Sequence, residues 1–447
     1  MRRHKAQVAV LGAGPAGAIA ARQLGLAGID VLLIDPLTPH KGQGIESFPP
    51  SGAPLAEELG LLQAFCAVSD GPAEAMQMVW REAPELRAFE GAGPLLLHRG
   101  ALHESLREEA LRYARALKAR VRDVGPCGEG VQLHTDAGKV QCDLVIDARG
   151  RHANKRPATD LTALPFTARE DSPAFVMGLE ALPDGWFWAC SLPEGQVQGV
   201  VFQPAAALAG KGAAARAAYL TACLAESDCF PYLSAITVGK PAAAGLSAVG
   251  DPVVTARHLL VGDAALARDP IASHGLVHAL RSGVQTAIAA LTILDPTGDD
   301  HAAQSFLRHK HQAAVVAAQL ATDRAYADQS RFQTAFWTAR SAREVQSAPA
   351  ALVLQGPVTL AAPLTRAPVL SQDRIYWAPA IKLRVQDDFL TGLGPVTALD
   401  VAAACRPAAS LQEIANRLGR QHDMPLVFKL LERLTLGGAF VQVRPTA

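Results

Sequence analysis

The stretch that decides the fold is QVAVLGAGPAGAIAARQLGLAGIDVLLIDP, residues 7–36. An apolar strand leads into a Gly-Ala-Gly-Pro-Ala-Gly turn, a helix of small residues follows, and a second apolar strand ends at Asp35. Gly12 permits the tight turn, Gly14 lets a pyrophosphate approach the backbone, and Gly17 allows the helix to pack closely on the strand. The pattern predicts a Rossmann-like dinucleotide-binding unit, and the alternative is a glycine-rich turn that holds no ligand.

The helix that follows the turn is expected to hold the phosphates of the cofactor. Its first N–H groups are free and carry a partial positive charge, while Asp35 can accept hydrogen bonds from a ribose. The motif alone does not separate NAD from FAD, but its place near residue 1, with hundreds of residues after it, is typical of FAD proteins. The predicted cofactor contacts in this stretch are Gly12, Gly14, Pro15, Ala16, Gly17 and Asp35.

The bulk composition narrows the class of protein. The 447 residues suggest two to three domains. Because Lys+Arg and Asp+Glu both total 42, no net charge favours nucleic acid or an anionic membrane. The seven cysteines contain no CxxC, which indicates a reducing compartment and no zinc site. The best apolar window, TAIAALTIL at 286–294, is shorter than the ~20 residues of a spanning helix, so we expect a cytoplasmic protein without a membrane span.

Two further segments, read together with the glycine-rich turn, resemble the flavoprotein monooxygenases of the p-hydroxybenzoate hydroxylase type, including the branch with the tryptophan halogenases. GIESFPPSGAPLAEELGLL (44–62) is similar to the family's Gly-Glu-Ser-Leu-Pro-Pro segment beside the isoalloxazine, with Ile45 where the family has glycine. The resemblance implies that Glu46 lies near the flavin, as a second candidate for the acid or base. In LLLHRGALHESL (95–106), Arg99 matches the family arginine that opens a helix and contacts the cofactor.

A later pair of segments completes the resemblance. CDLVIDARGRH (142–152) is similar to the family's strand ending in Asp-Gly, with Arg149 where Asp is usual. LLVGDAALARDPIASHGLVH (259–278) is similar to its Gly-Asp and Asp-Pro-x-x-Gly-x-Gly segments, and the resemblance places Asp263 on the ribityl chain. The helix that follows would stabilise the negative charge of reduced flavin. The implied cofactor contacts are Gly262, Asp263, Pro270, Gly275 and Leu276.

His274 is the leading candidate for the catalytic acid or base, since the resemblance places it at the flavin edge where the family has glycine. The alternative is a histidine that only caps the helix. His278, one turn further on, is expected to pack. His301, His309 and His311 lack the i,i+4 pair that would put two ligands on one helix face, so no metal is predicted.

The substrate side is indicated by GWFWACSLPEG (185–195), which resembles the Trp-x-Trp-x-Ile-Pro segment of flavin-dependent halogenases. Trp186 and Trp188 fit that segment and are predicted to line the substrate pocket; the alternative is a strand whose aromatic residues only pack. Halogenases also need a lysine near the flavin, and residues 42–117 contain none. The resemblance therefore implies hydroxylation through a flavin C4a-hydroperoxide, with NAD(P)H or an external flavin reductase as the source of electrons.

The predicted architecture is α/β. It has a Rossmann-like FAD-binding domain in two parts (1–160 and 241–300), an inserted substrate domain with a mainly antiparallel sheet (161–240), a long helical segment (301–345), a linker or lid (346–380) and a small winged-helix-like C-terminal α+β domain (381–447).

The C-terminal segment contains a capping box, Ser410 with Glu413, and a helix with leucines at helical spacing. We expect it to dock a protein or peptide, with a structural cap as the alternative and nucleic acid as a minor one. Together with the family branch and the missing lysine, it resembles the flavoprotein hydroxylases that modify a peptidyl tryptophan of the cysteine tryptophylquinone subunit of quinohemoprotein amine dehydrogenase. The other readings are a tryptophan halogenase, a flavin-dependent reductase or dehydrogenase of the geranylgeranyl reductase type, and a non-enzymatic escort.

Overall fold

The computed structural model describes residues 3–38, 44–153, 159–171, 175–341, 354, 356–371, 373–385 and 388–443. The chain divides into two compact units, which we call unit 1 and unit 2. Unit 1 is Met1–Ala287 with His311–Val345, and unit 2 is Ile288–Lys310 with Gln346–Ala447.

The strands, in chain order, are β1 (Arg3–Leu11), β2 (Val31–Asp35), β3 (Ile45–Phe48), β4 (Ser69–Pro72), β5 (Ala75–Val79), β6 (Glu85–Ala88), β7 (Leu95–His98), β8 (Arg115–Lys118), β9 (Val121–Cys127), β10 (Gly130–Thr135), β11 (Gly138–Asp147), β12 (Leu161–Arg169), β13 (Val176–Leu182), β14 (Gly185–Leu192), β15 (Gln196–Pro204), β16 (Ser234–Val238), β17 (Ala242–Ala243), β18 (Ser247–Ala248), β19 (Val253–Thr255), β20 (His258–Leu260), β21 (Leu266–Ala267), β22 (Val358–Leu360), β23 (Thr365–Ser371), β24 (Arg374–Leu383), β25 (Asp388–Leu390), β26 (Gly392–Leu393), β27 (Val396–Thr397) and β28 (Phe440–Gln442).

The α-helices are α1 (Pro15–Leu26), α2 (Ala53–Glu58), α3 (Leu62–Ala67), α4 (Arg99–Leu111), α5 (Ala205–Leu208), α6 (Ala213–Leu224), α7 (Gly275–Leu294), α8 (Asp300–Ala327), α9 (Ala335–Ser341), α10 (Ala398–Ala404), α11 (Leu411–Leu418) and α12 (Met424–Leu436). Short 3₁₀ turns lie at Pro50–Gly52, Gly150–His152, Pro193–Gly195, Gly262–Ala264 and Pro270–Ala272.

The first sheet of unit 1 is the predicted Rossmann-like sheet. Its strands lie in the order β19-β20-β11-β1-β2-β8, and β20, β11, β1, β2 and β8 run parallel. The apolar run of β1 is buried on both faces, as expected for a central parallel strand. The small residues of α1 let that helix pack closely on the sheet, where seven of its twelve residues are buried.

The second sheet of unit 1 carries the predicted substrate region. Its order is β16-β12-β15-β14-β13-β5-β6, and its central pairs are antiparallel. The sequence prediction began this region at residue 161, but β5 and β6 also join the sheet, with β5 parallel to β13. This is a correction to the domain boundaries, and its cause is a non-local pairing that no local pattern reveals. A third, smaller sheet has the order β3-β7-β4.

Unit 2 differs from the prediction at one end. The segment 346–380 was expected to be a linker or lid, but its described residues contribute β22, β23 and part of β24. β22 pairs with β28 near the end of the chain, and β24 pairs with β23 and β25. The segment therefore forms strands: β22 finds its partner near the end of the chain, whereas β23 and β24 form a local hairpin in which β23 is largely exposed.

The helical part of unit 2 contains the helices that the sequence predicted near the C-terminal end. The helices α10, α11 and α12 pack around a core that includes Leu430 and Leu434. The capping box of Ser410 and Glu413 opens α11, and Gly437 caps the end of α12.

Of the described helices, α7 is by length and composition apolar enough to cross a membrane, which its apolar window of nine residues did not predict. Of its most apolar window, 56% is buried inside the protein. Burial of this kind is usual for a core helix, and the finding is weak evidence for a membrane span.

Candidate active site

The glycine-rich turn has three glycines in three different environments. Gly12 has a φ of +97°, and a Cβ there would lie 2.7 Å from the carbonyl oxygen of Ala148. A Cβ at Gly17 would lie 2.1 Å from the carbonyl oxygen of Gly12, so only glycine allows this contact between helix and turn. At Gly14 a Cβ would meet nothing within 4 Å. The turn therefore leaves open space at the start of α1, beside Pro15 at its first position.

A cleft of about 240 Å³ adjoins this open space. It is lined by Ala13, Gly14, Asp35, Pro36, Thr38, His103, Arg107 and Arg120. The carboxylate of Asp35 accepts hydrogen bonds from the N–H groups of Ala13 (3.0 Å) and Leu37 (2.7 Å) and so braces the turn. Sequence reasoning missed His103, Arg107 and Arg120, because nothing in the local pattern shows that α4 and the end of β8 reach this cleft. Their positive and polar side chains suit a phosphate or a nucleotide.

The structure brings Glu46 and Arg99 together. The Nε atom of Arg99 lies 3.0 Å from Oε1 of Glu46, and the N–H of Arg99 donates to the carbonyl oxygen of Gly44 at 3.0 Å. The pair links β3 to the start of α4. As an acid or base, Glu46 would have to work while its carboxylate is engaged by the guanidinium of Arg99.

Arg149, which departs from the family pattern, has a partner two residues before it. It makes two side-chain hydrogen bonds to Asp147, at 3.0 and 2.6 Å. Burial acts to raise the pKa of Asp147, but the nearby His258 ring, 3.7 Å away, and the hydrogen bonds from Arg149 outweigh it and hold that pKa below its ordinary value. Asp147 and Arg149 thus close the end of β11 against the glycine-rich turn, where Ala148 contacts Gly12.

The second cofactor segment lies against the first. Gly262 has a φ of +58°, and a Cβ there would lie 2.6 Å from the Cβ of Ala16. Asp263 follows on the same 3₁₀ turn with a half-exposed side chain, 4.0 Å from Nε of Arg151. Arg151 also donates to the carbonyl oxygen of Gly245 at 2.9 Å. Residues that are 246 positions apart in sequence, Ala16 and Gly262, thus form one surface.

The loop before α7 is held by a buried carboxylate. Oδ1 of Asp269 accepts a hydrogen bond from the N–H of Ile271 at 3.1 Å, and Pro270 opens the 3₁₀ turn. Burial raises the pKa of Asp269 to about 6. Ser273 has a left-handed backbone (φ +48°), and α7 begins at Gly275, where a Cβ would meet open space.

The two histidines of this segment have different surroundings. His274 is exposed, and its Nδ1 contacts the carbonyl oxygen of Ala272. His278 is largely enclosed: burial, together with the neighbouring Arg268, His311 and Arg281, lowers its pKa to about 4. His274 is thus accessible for proton transfer, whereas His278 is neutral near pH 7. Leu276, between them, is buried.

The two tryptophans predicted for the substrate pocket share one face of β14 but differ in burial. Trp186 is 1% exposed, stacks on Phe202 with ring centroids 4.0 Å apart, and donates from Nε1 to the hydroxyl of Tyr326 at 3.3 Å. Trp188 is only partly buried. It packs in two apolar clusters, one that includes Ile271 and one that includes Ile45. Trp186 thus supports an aromatic core, and Trp188 is the one that faces accessible space.

A pair of residues that the sequence did not indicate lies beside this face. Nε2 of His98 is 2.8 Å from Oδ2 of Asp70. His98 ends β7 directly before Arg99, so two adjacent residues each hold a carboxylate.

Within the described residues, no group of three or more His, Cys, Asp or Glu is placed to hold a metal ion. His301 stacks on Trp377, and Nδ1 of His309 contacts the carbonyl oxygen of Ser305. Nε2 of His311 contacts the carbonyl oxygen of Val249.

The residues present fit an FAD molecule. The open space at Gly14, the adjoining cleft and the start of α1 suit a pyrophosphate and a nucleotide. A family model described as FAD binding domain matches residues 5–45. Fold and site together define an FAD-dependent oxidoreductase.

A second family model, described as tryptophan halogenase, matches residues 123–355, slightly more than half of the chain. The chain belongs to this family. The comparison with curated proteins found no match.

Several solved structures share the fold. A protein titled peptidyl tryptophan dihydroxylase QhpG, essential for tryptophylquinone cofactor biogenesis, has a TM-score of 0.76 and 23% identity, covering 97% of this chain and 99% of that one. The flavin-dependent halogenase CmlS has a TM-score of 0.76 and 17% identity, covering 99% and 98%. The myxobacterial chondrochloren halogenase CndH has a TM-score of 0.63 and 20% identity, covering 75% and 86%. At these identities the likeness concerns the fold.

Proposed function

We propose that the chain is an FAD-dependent monooxygenase that hydroxylates the indole ring of a tryptophan in a peptide or protein, in the biogenesis of a quinone cofactor. The observation that carries the proposal is the position of Trp188. It packs against two apolar clusters, one that also takes Ile271 of the loop before α7 and one that contains Ile45 of β3, the two segments expected beside the isoalloxazine. A flat aromatic substrate ring would lie between the isoalloxazine and the indole of Trp188.

Reduced FAD, when bound, would supply the activation of O₂. The chain's own residues would orient the ring and exclude water. The face of the second sheet around Trp188 is apolar, with Leu179, Val200 and Met78 packed nearby. An apolar enclosure suits oxygen transfer because it prevents wasteful reaction with water. At the start of α7, free N–H groups would stabilise negative charge on the flavin.

Halogenation is the competing activity, since the family includes halogenases and the chain has the tryptophan pair. The segment 42–117, where halogenases are expected to place a lysine, has none. That absence supports hydroxylation.

The electrons would come from NAD(P)H, bound directly or through an external flavin reductase. The seven cysteines are free thiols, which supports a reducing compartment such as the cytoplasm.

We further propose that unit 2 docks the polypeptide that bears the tryptophan. The helix α12 exposes two large apolar side chains, Phe428 (50% exposed) and Leu436 (47% exposed). Side chains of this kind are usually buried against another element. Lys429 and Arg433 lie beside them on exposed positions. The exposed Glu432 lies between Phe428 and Leu436 on the same helix face. Two exposed apolar side chains among charges of both signs suit an amphipathic polypeptide segment.

The test is product analysis with a defined probe. The holoenzyme is given N-acetyltryptophanamide or a tryptophan peptide, a reductant, isotopically heavy O₂, and both chloride and bromide. We expect products that gain the mass of one or two heavy oxygen atoms. A product with a halogen isotope pattern, or no oxygen gain in any tryptophan probe, would contradict the proposal.

Two variants sharpen this test. Trp188→Ala is expected to lower kcat/KM by about tenfold or more while FAD remains bound, since loss of a well-placed aromatic contact costs ~1–3 kcal/mol. Trp377→Ala removes an equally half-buried tryptophan from unit 2 and serves as the matched control.

A further inference from the structure

The pair Asp70–His98 lies on the side of the small sheet that faces the substrate region. Successive residues of a strand point to opposite faces, so His98 shares its face of β7 with Leu96. Leu96 packs with Ile45, Met177 and Cys190 in one apolar cluster. The register pairs Ile45 with His98 across β3 and β7. His98 is therefore directed toward the second sheet.

The second sheet meets this pair from the other side. Cys190 lies on the same face of β14 as Trp188, two residues on. Cys190 packs in one cluster with Leu96 and Ile45, the residues on the His98 face of the small sheet. Trp188 and Cys190 belong to one cluster with Ile45. The apolar face around Trp188 thus ends at a charged pair.

The other carboxylate of the small sheet points away. Glu46 follows Ile45 on β3, so it lies on the opposite face and is held there by Arg99. The two carboxylates therefore have separate roles: Glu46 braces the start of α4, and Asp70 orients a histidine.

The geometry of the pair suits proton transfer. Nε2 of His98 is engaged by Oδ2 of Asp70 at 2.8 Å, which leaves Nδ1 for another partner. The ring is 42% exposed and Asp70 is 26% exposed, so a ligand could reach the histidine. A carboxylate on one ring nitrogen fixes the tautomer and the orientation of the ring, so that the other nitrogen can accept a proton.

We propose that His98, oriented by Asp70, accepts the proton that the substrate ring loses on hydroxylation. The proposal rests on the proposed function. It adds the pair Asp70–His98 to His274 as a candidate base, and this pair takes the place of Glu46.

The step balances as follows. An electron pair of the aromatic ring forms a bond to one oxygen atom derived from O₂, and the other oxygen atom leaves as water. The hydride of NAD(P)H supplies the two electrons and one hydrogen, and two protons from solvent complete the new hydroxyl group and the water. The C–H bond at the same carbon then breaks, and its electron pair restores the aromatic ring. The proton moves to Nδ1 of His98 and from there to solvent.

Steady-state kinetics with N-acetyltryptophanamide test the role. His98→Gln is expected to lower kcat by about 10²-fold with an unchanged KM and unchanged FAD content, the size of effect usual for a general base. Asp70→Asn should lower kcat less. Imidazole added to His98→Ala should restore part of the lost kcat. His134→Gln, on β10, is the matched control.

Nuclear magnetic resonance of the ¹⁵N-histidine holoenzyme gives a readout besides activity. We expect His98 as the tautomer with its proton on Nε2, and an Nδ1 signal that shifts when N-acetyltryptophanamide is added, while His134 stays unchanged. If the wild type oxygenates no probe but Nδ1 still responds, the proposed function fails and the placement of His98 holds. Full kcat in His98→Gln, or no Nδ1 response, would overturn the inference.

Discussion

Single residues of the glycine-rich turn have distinct physical roles. Gly17 has no room for a side chain because the carbonyl oxygen of Gly12 lies 2.1 Å from a built Cβ. Gly14 has room, but the room opens onto the predicted pyrophosphate position. One position therefore serves the fold and the other serves the cofactor.

Valine substitutions at these two positions should separate fold from binding. Gly17→Val is expected to lower the stability of the flavin-free protein by about 1–3 kcal/mol or more, since backbone must shift. Gly14→Val should leave that stability nearly unchanged and abolish FAD binding. Thermal unfolding of the flavin-free protein and titration with FAD measure the two effects. Full FAD affinity in Gly14→Val would show that the cofactor does not approach this turn.

At the scale of elements, the loop before α7 is shaped by a carboxylate that its surroundings disfavour. Asp269 accepts a hydrogen bond from Ile271 and lies in a buried site. Arg340 and Arg151 oppose the effect of burial on its pKa, and Asp160 adds to it. The balance leaves a pKa of about 6, raised from 3.8. The loop that leads into α7 is thus held at a cost in stability above pH 6.

Asp269→Asn should reveal this cost through its pH dependence. Between about pH 4 and pH 6 the folded protein keeps a proton that the unfolded chain has released, so stability falls as pH rises. A rise from 3.8 to about 6 corresponds to about 3 kcal/mol at most. Asparagine keeps the hydrogen-bond acceptor without the charge. Its stability relative to wild type should therefore increase over this range and level off above it.

Chemical denaturation at several pH values measures that difference. Asp143→Asn, an exposed aspartate on β11, is the control and should show no such trend. A constant difference between Asp269→Asn and wild type from pH 4 to pH 7 would contradict the prediction.

At the scale of the whole molecule, the chain combines a flavoenzyme body with a second compact unit. The QhpG fold matches over 97% of this chain, so that structure has a counterpart of unit 2 as well as of unit 1. The halogenase CmlS also matches over 99% of this chain, whereas the halogenase CndH matches over 75%. A counterpart of unit 2 therefore accompanies more than one titled activity, and its role as a docking unit in this chain is our proposal.

Phe428→Asp tests the docking surface on α12. A charge at the centre of an apolar contact is expected to raise the KM for a polypeptide substrate by about tenfold or more. Turnover of N-acetyltryptophanamide, which carries no polypeptide segment for α12 to bind, should not change. Val316→Asp, on an equally exposed position of α8, is the matched control. Equal loss with both substrates would point to a folding defect and contradict the docking role.

The sequence by itself determined the parts of this protein whose signal is local. A strand, a glycine-rich turn and a helix of small residues are encoded within thirty residues, so the Rossmann-like start and the roles of Gly12 and Gly17 could be predicted. The capping box of Ser410 and Glu413 is equally local. The order of the later segments then indicated the FAD-dependent class and the family.

The tertiary structure decided what depends on distant partners. β5 and β6 join the second sheet, and β22 pairs with β28. Backbone hydrogen bonds can join strands at any separation along the chain, so a local sequence pattern does not predict these pairs. Trp186 and Trp188 look alike in sequence, yet only packing made one a core residue and the other a candidate substrate contact. Asp70 and His98 meet because β4 and β7 are neighbours in one sheet. The spacing of these residues in the sequence does not predict that contact.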